Sequence, residues 1–206
     1  MTARRRSPTV PAVAPAGVAR MAHIVLFHSI LGLRPIEQDL AREWEGAGHT
    51  VTLPDLFEGR SVEDYDAGFA LHDEIGHAVI AERARAAVED APDDAILAGV
   101  SMGAGLLAES WGERPASRGA LLIAGAAPWS PGLRPGLPVQ AHIARPDPFD
   151  EEEYFDDWAE ANPGAALDLR RYGGVGHYFL DPALSDYGEE AARECRAAML
   201  AFLAGL

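Results

Sequence analysis

The chain has 206 residues, enough to bury one substantial core and too few for a full second domain. Its 32 acidic residues against 17 basic ones give a formal charge of −15, a field that repels phosphate backbones and anionic lipid surfaces, so neither nucleic-acid nor membrane binding is expected. No apolar run approaches the ~20 residues that span a bilayer, and the single cysteine, Cys195, excludes an intramolecular disulfide and a CxxC metal site.

Residues 1–20 are rich in Pro, Ala and Arg and follow neither a helical nor a strand period, so they read as a disordered tail. Pro8, Pro11 and Pro15 interrupt the apolar core that a secretory signal needs, and a reducing, cytoplasmic setting is expected. Residues 21–206 are expected to form one domain. Short apolar runs there alternate with amphipathic segments: a strand over Ile24–Phe27, a helix over Ile36–Ala47, a strand over Thr50–Leu53 and a helix near Val79–Val88. Strands follow over Ala95–Val100, Ala120–Ala124, Val139–Ile143 and Leu167–Tyr172, and a helix over Tyr187–Leu203 closes the chain. Parallel strands need helix-length returns, so this alternation predicts an α/β fold: a mostly parallel sheet of about six or more strands, covered on both faces. Functional groups are then expected at the carboxyl ends of the strands. No gap is large enough for a cap domain, so the site should be open.

Gly99-Val100-Ser101-Met102-Gly103 is a G-x-S-x-G element between a predicted strand and a predicted helix, the context of a strained turn that lifts a serine hydroxyl above a sheet edge. Gly99 and Gly103 remove side chains that would collide in such a turn, and Gly105 would extend the small-residue patch. The helix from Met102 onward would aim its positive end at a developing oxyanion. Serine is a weak nucleophile until a base takes its proton, so an acid and then a histidine should follow. Of the two later histidines, His142 falls inside a predicted strand, whereas His177 sits in a glycine-rich loop past the last one, and His177 is the preferred base. Asp147, at a strand end between Pro146 and Pro148, is the preferred acid; Asp150 reads as the start of a solvated helix, and Asp181 as a residue bonded to its own loop before Pro182. One oxyanion donor is the Met102 amide, and the other should come from the turn His28-Ser29-Ile30-Leu31-Gly32.

Taken in order, residues 24–33, Pro54-Asp55-Leu56, residues 99–103, residues 142–149 and Gly176-His177-Tyr178-Phe179 resemble the dienelactone hydrolase family over about residues 22–205. The resemblance implies a cap-less α/β-hydrolase fold, a triad on Ser101, Asp147 and His177, and oxyanion amides on Ile30 and Met102. Two positions depart from the family: founding members carry a cysteine where Ser101 stands, and a glutamate linked to activating that thiol where Ser29 stands. The two losses fit together, because a serine needs no thiol-gating carboxylate.

The expected function is therefore hydrolysis of a small carboxylic ester or lactone other than dienelactone, through an acyl-enzyme, with no cofactor or metal, by a monomer or small homo-oligomer. A catalytically idle member that binds a small ligand or partner, or a thioesterase or peptidase, are the competing expectations. His72 and His77, read on one helix, would lie on diverging faces and are not taken as metal ligands. His28 is expected to make a structural hydrogen bond, and Trp129, Phe149, Trp158 and Tyr178 are candidates for the pocket mouth or for simple packing.

Overall fold

The computed structural model describes residues 21–206; the segment expected to be a disordered tail, residues 1–20, lies outside the described residues. Each apolar run forms a strand: β1 (His23–Phe27), β2 (Thr50–Thr52), β3 (Ile96–Val100), β4 (Ala120–Ile123), β5 (Pro138–Arg145) and β6 (Ala166–Gly173). All pairings among them are parallel, in the order β2-β1-β3-β4-β5-β6. Alternate residues of the inner strands feed two separate cores, which is why these runs read as continuously apolar. Val25, Phe27, Leu97 and Leu122 face one layer, and Ile24, Leu26, Ile96, Val100, Leu121 and Ile123 face the other.

Helices α1 (Pro35–Gly46) and α6 (Glu189–Gly205) cover the second layer with Leu40, Trp44, Cys195, Met199 and Leu203. Helices α2 (Tyr65–Ile75), α3 (His77–Glu89) and α5 (Glu152–Glu160) lie on the first, through Leu71, Ile80, Ala84, Val88 and Trp158. This is an α/β-hydrolase fold, with no separate cap among the described residues. Proline at the first position of α1 suits a site whose N–H lacks an intrahelical partner, and Glu37 reaches back to accept from the Arg34 N–H at 3.1 Å.

Two expectations about helices need correction. The stretch before Val79 holds a full helix, α2, and Gly76 at φ +88° breaks the chain between α2 and α3, so His72 and His77 stand on different helices with ring centroids 5.9 Å apart. The helix after Ser101, α4 (Met102–Leu106), has only five residues before it tightens into 3₁₀ turns at Leu107–Glu109 and Trp111–Glu113. Gly103, Gly105, Ser110 and Gly112 supply little helix propensity there, so no long macrodipole backs the turn.

Candidate active site

The strand order reverses between β1 and β3, and crevices at such switch points collect the loops that follow both strands. The loop after β1 carries residues 28–34, and the turn after β3 carries Ser101. Ser101 has φ 52° and ψ −114°, a conformation L-residues rarely adopt, and its N–H donates to the Ile123 carbonyl at 2.8 Å. A Cβ on Gly99 would lie 2.6 Å from the Ala104 nitrogen, and one on Gly103 would lie 2.5 Å from the Phe27 carbonyl oxygen. Both glycines are therefore needed for the turn to close on β1. Gly105 is not, because a Cβ there meets nothing within 4 Å.

The loops after β5 and β6 bring two further side chains to this turn. Ser101 Oγ lies 2.8 Å from His177 Nε2, and His177 Nδ1 lies 2.8 and 3.0 Å from the two oxygens of Asp147. A carboxylate only accepts, so Nδ1 carries the proton and Nε2 is left free to accept from the serine hydroxyl. His177 and Asp147 are buried, and Asp147 Oδ1 also accepts from the Phe149 N–H at 3.0 Å. His142 is elsewhere, inside β5. It donates from Nε2 to Gln140 Oε1 at 2.9 Å and accepts from the Tyr172 hydroxyl at 2.8 Å. Asp181 does bond its own loop, at the Ala183 N–H, and also receives the buried Arg34 guanidinium at 2.7 Å, a cross-chain pair that spacing alone does not reveal.

The turn after β1 is held from behind. His28 is fully buried, donates from Nδ1 to the Ser29 carbonyl at 2.7 Å and accepts from the Leu56 N–H at 3.0 Å; burial lowers its pKa and keeps it neutral. Glu37 accepts from the Ser29 N–H at 3.3 Å, and Ser29 Oγ accepts from the Leu31 N–H at 3.3 Å. The Ile30 amide between them has no acceptor among the described residues. Met102 opens α4, so its N–H has no intrahelical acceptor either. Gly68 lets α2 pack closely here, since a Cβ would sit 3.0 Å from the Ile30 carbonyl oxygen.

A cavity of about 320 Å³ opens over these groups. Ser101, His177, Ile30 and Met102 form its floor, and Tyr65, Phe69, Phe149 and Tyr154 form aromatic walls with His72 and Asp150. Of the aromatic candidates from sequence, Phe149 lines it. Trp129 does not: it stacks between Trp111 and Trp158, at 5.3 and 4.6 Å between centroids, and Trp158 and Tyr178 are buried. Asp150 precedes α5 and faces the cavity, where burial and then the Asp147 charge raise its pKa. Tyr65, Phe69 and His72 belong to no motif, and lie off the Gly68–Leu71 face that α2 buries.

The model of the dienelactone hydrolase family matches residues 10–206. The chain belongs to the dienelactone hydrolase family. Among curated proteins none matches it. Solved structures similar to this family member include a dienelactone hydrolase-like promiscuous phosphotriesterase from metagenomic libraries, at 17% identity and TM-score 0.70 over 91% of this chain and 87% of that one. A metagenome-derived lipolytic enzyme is similar at 16% identity and TM-score 0.65, over 95% of this chain and 100% of that one. A cold-adapted esterase from an Arctic intertidal metagenomic library is similar at 17% identity and TM-score 0.63, over 93% and 85%. At these identities the likeness establishes the fold alone. This family member carries Ser101 at the turn where founding members carry cysteine, and the nearby carboxylate, Glu37, is bonded to the backbone of Ser29 and Arg34 and does not line the cavity.

Proposed function

We propose that the protein hydrolyses small carboxylic esters or lactones through an acyl-enzyme on Ser101. The observation that carries this reading is the unbroken hydrogen-bonded chain from Ser101 Oγ through His177 to Asp147 at the floor of a cavity. In the first half-reaction Ser101 Oγ attacks the carbonyl carbon while His177 Nε2 takes its proton, and Asp147 holds the ring and stabilises the imidazolium that forms. The carbonyl oxygen becomes an oxyanion, met by the N–H groups of Ile30 and Met102. Collapse of the tetrahedral intermediate breaks the ester C–O bond, and His177 returns the proton to the departing alcohol. A water then enters, His177 takes one of its protons, and the acyl group leaves as a carboxylic acid with Ser101 restored. The positive φ of Ser101 supports the same reading, because a strained serine turn is retained only where its neighbours over-determine it.

The test is hydrolysis of p-nitrophenyl acetate and butyrate by the wild type and by Ser101→Ala. Turnover is expected in the wild type and loss of at least about a thousandfold in the variant; equal rates in the two would remove Ser101 from the chemistry.

A further inference from the structure

We propose that the site takes uncharged esters and turns away esters that carry a carboxylate, with Asp150 as the residue that sets this selectivity. This rests on the reading of the cavity as an ester-hydrolysing site and adds the substrate class to it. Four rings, those of Tyr65, Phe69, Phe149 and Tyr154, make walls that suit an apolar acyl or alcohol group. Among the described residues none of those lining the cavity is an arginine, and the chain has no lysine.

The arginines on neighbouring elements are engaged elsewhere: Arg60 pairs with Glu74 at 2.7 Å, and Arg145 and Arg171 both pair with Glu152 at 3.0 Å. His72, the imidazole in the cavity wall, already has Asp73 3.3 Å from its Nδ1. Asp150 lines the cavity, partly buried, close enough to Asp147 to feel its charge. A carboxylate entering this cavity would shed water, find no arginine or lysine on its lining and face Asp150. The same field acts on the reaction's outcome. Hydrolysis of an uncharged ester creates a carboxylic acid that ionises to a carboxylate, so the feature that excludes an anionic substrate also favours release of the acid product.

The experiment compares kcat/KM for p-nitrophenyl hexanoate and for mono-p-nitrophenyl adipate, which has the same six-carbon acyl chain ending in a carboxylate. The wild type should prefer the uncharged ester by about tenfold or more, and the preference should shrink several-fold in Asp150→Asn and also in the wild type at high salt. A wild-type ratio near one overturns the proposal. A large ratio that Asp150→Asn does not reduce overturns the role given to Asp150, and a ratio that salt leaves unchanged overturns it even if that variant fails to fold. No hydrolysis of either ester, with no covalent labelling of Ser101, overturns the underlying reading of the site and the proposal with it.

Discussion

The Tyr65 hydroxyl donates to Asp186 Oδ2 across 2.6 Å, and this bond ties helix α2 to the loop that carries His177. Asp186 grips that loop on both sides of the histidine: its carboxylate accepts from the Tyr178 N–H and its carbonyl from the Gly176 N–H, each at 3.0 Å. Burial first, and then the bond to Asp186, push the Tyr65 pKa far above the usual phenol value, so the donor stays protonated. The Tyr65 ring also meets His177 edge-on, at 6.0 Å between centroids. Tyr65→Phe keeps the ring and removes the bond. The expected result is a fall in kcat of about five- to tenfold on a short ester with KM little changed, in line with the loss of one charge-assisted hydrogen bond. Steady-state kinetics with a thermal melt of each protein checks it; an unchanged kcat would mean that backbone contacts alone hold the loop.

Much of the fold was legible because β3, β4 and most of β5 are buried on both faces and so appear as apolar runs bounded by turn residues. The turn at Ser101 was legible for a different reason: steric demand there admits glycine at 99 and 103, and the pattern survives in one dimension. Ser101, Asp147 and His177 could be singled out by their positions past predicted strand ends, and the structure brings these three together. What stayed hidden depends on contacts between distant segments. The cavity wall on α2 comes from Tyr65, Phe69 and His72, which share no motif, the Trp111–Trp129–Trp158 stack joins a 3₁₀ turn, a loop and helix α5, and Arg34 meets Asp181 across 147 positions.

The close approach of Gly99 and Gly103 predicts a steep cost for the smallest added side chain. Gly103→Ala places a Cβ against the backbone carbonyls of Phe27 and His28, which cannot rotate away as a side chain would. A loss of about 1–3 kcal/mol or more is expected in urea denaturation. Gly105→Ala, which meets open space, should be neutral or slightly stabilising through helix propensity.

Two buried groups give stability a defined dependence on pH. Burial, helped by Arg170, lowers His142 from 6.5 to about 3, so between these values the unfolded chain holds a proton that the folded one does not, and stability falls as pH drops. Burial raises Glu37 from 4.5 to about 7, so the folded chain holds the extra proton there, and stability falls as pH rises through that window. The two slopes oppose each other between about 4.5 and 6.5, leaving a plateau, with an acid limb below it from His142 and a smaller loss, over a narrower window, towards pH 7 from Glu37. Urea midpoints from pH 3 to 8 check this on the order of 1.4 kcal/mol per pH unit for each uncompensated group. His142→Gln should flatten the acid limb in part, since His28 is also held neutral by burial.

Asp147 accepts the His177 Nδ1 proton with both oxygens, so Asp147→Asn offers the ring an amide that can hold it in the wrong tautomer. A drop in kcat of at least about a hundredfold is expected, with the fold intact by circular dichroism. Asp150→Asn, which leaves those bonds in place, should cost far less on an uncharged ester. Comparable losses in the two variants would contradict the assignment of Asp147 as the residue that orients His177.

The central claim is that Ser101 forms a covalent bond to substrate. Incubation with a fluorophosphonate probe followed by intact-mass and peptide mass spectrometry tests it most directly. One equivalent of label on the peptide containing Ser101 is expected, absent in Ser101→Ala and strongly slowed in His177→Ala. A folded wild-type protein that stays unlabelled, or that is labelled at another residue while Ser101 is untouched, would contradict it.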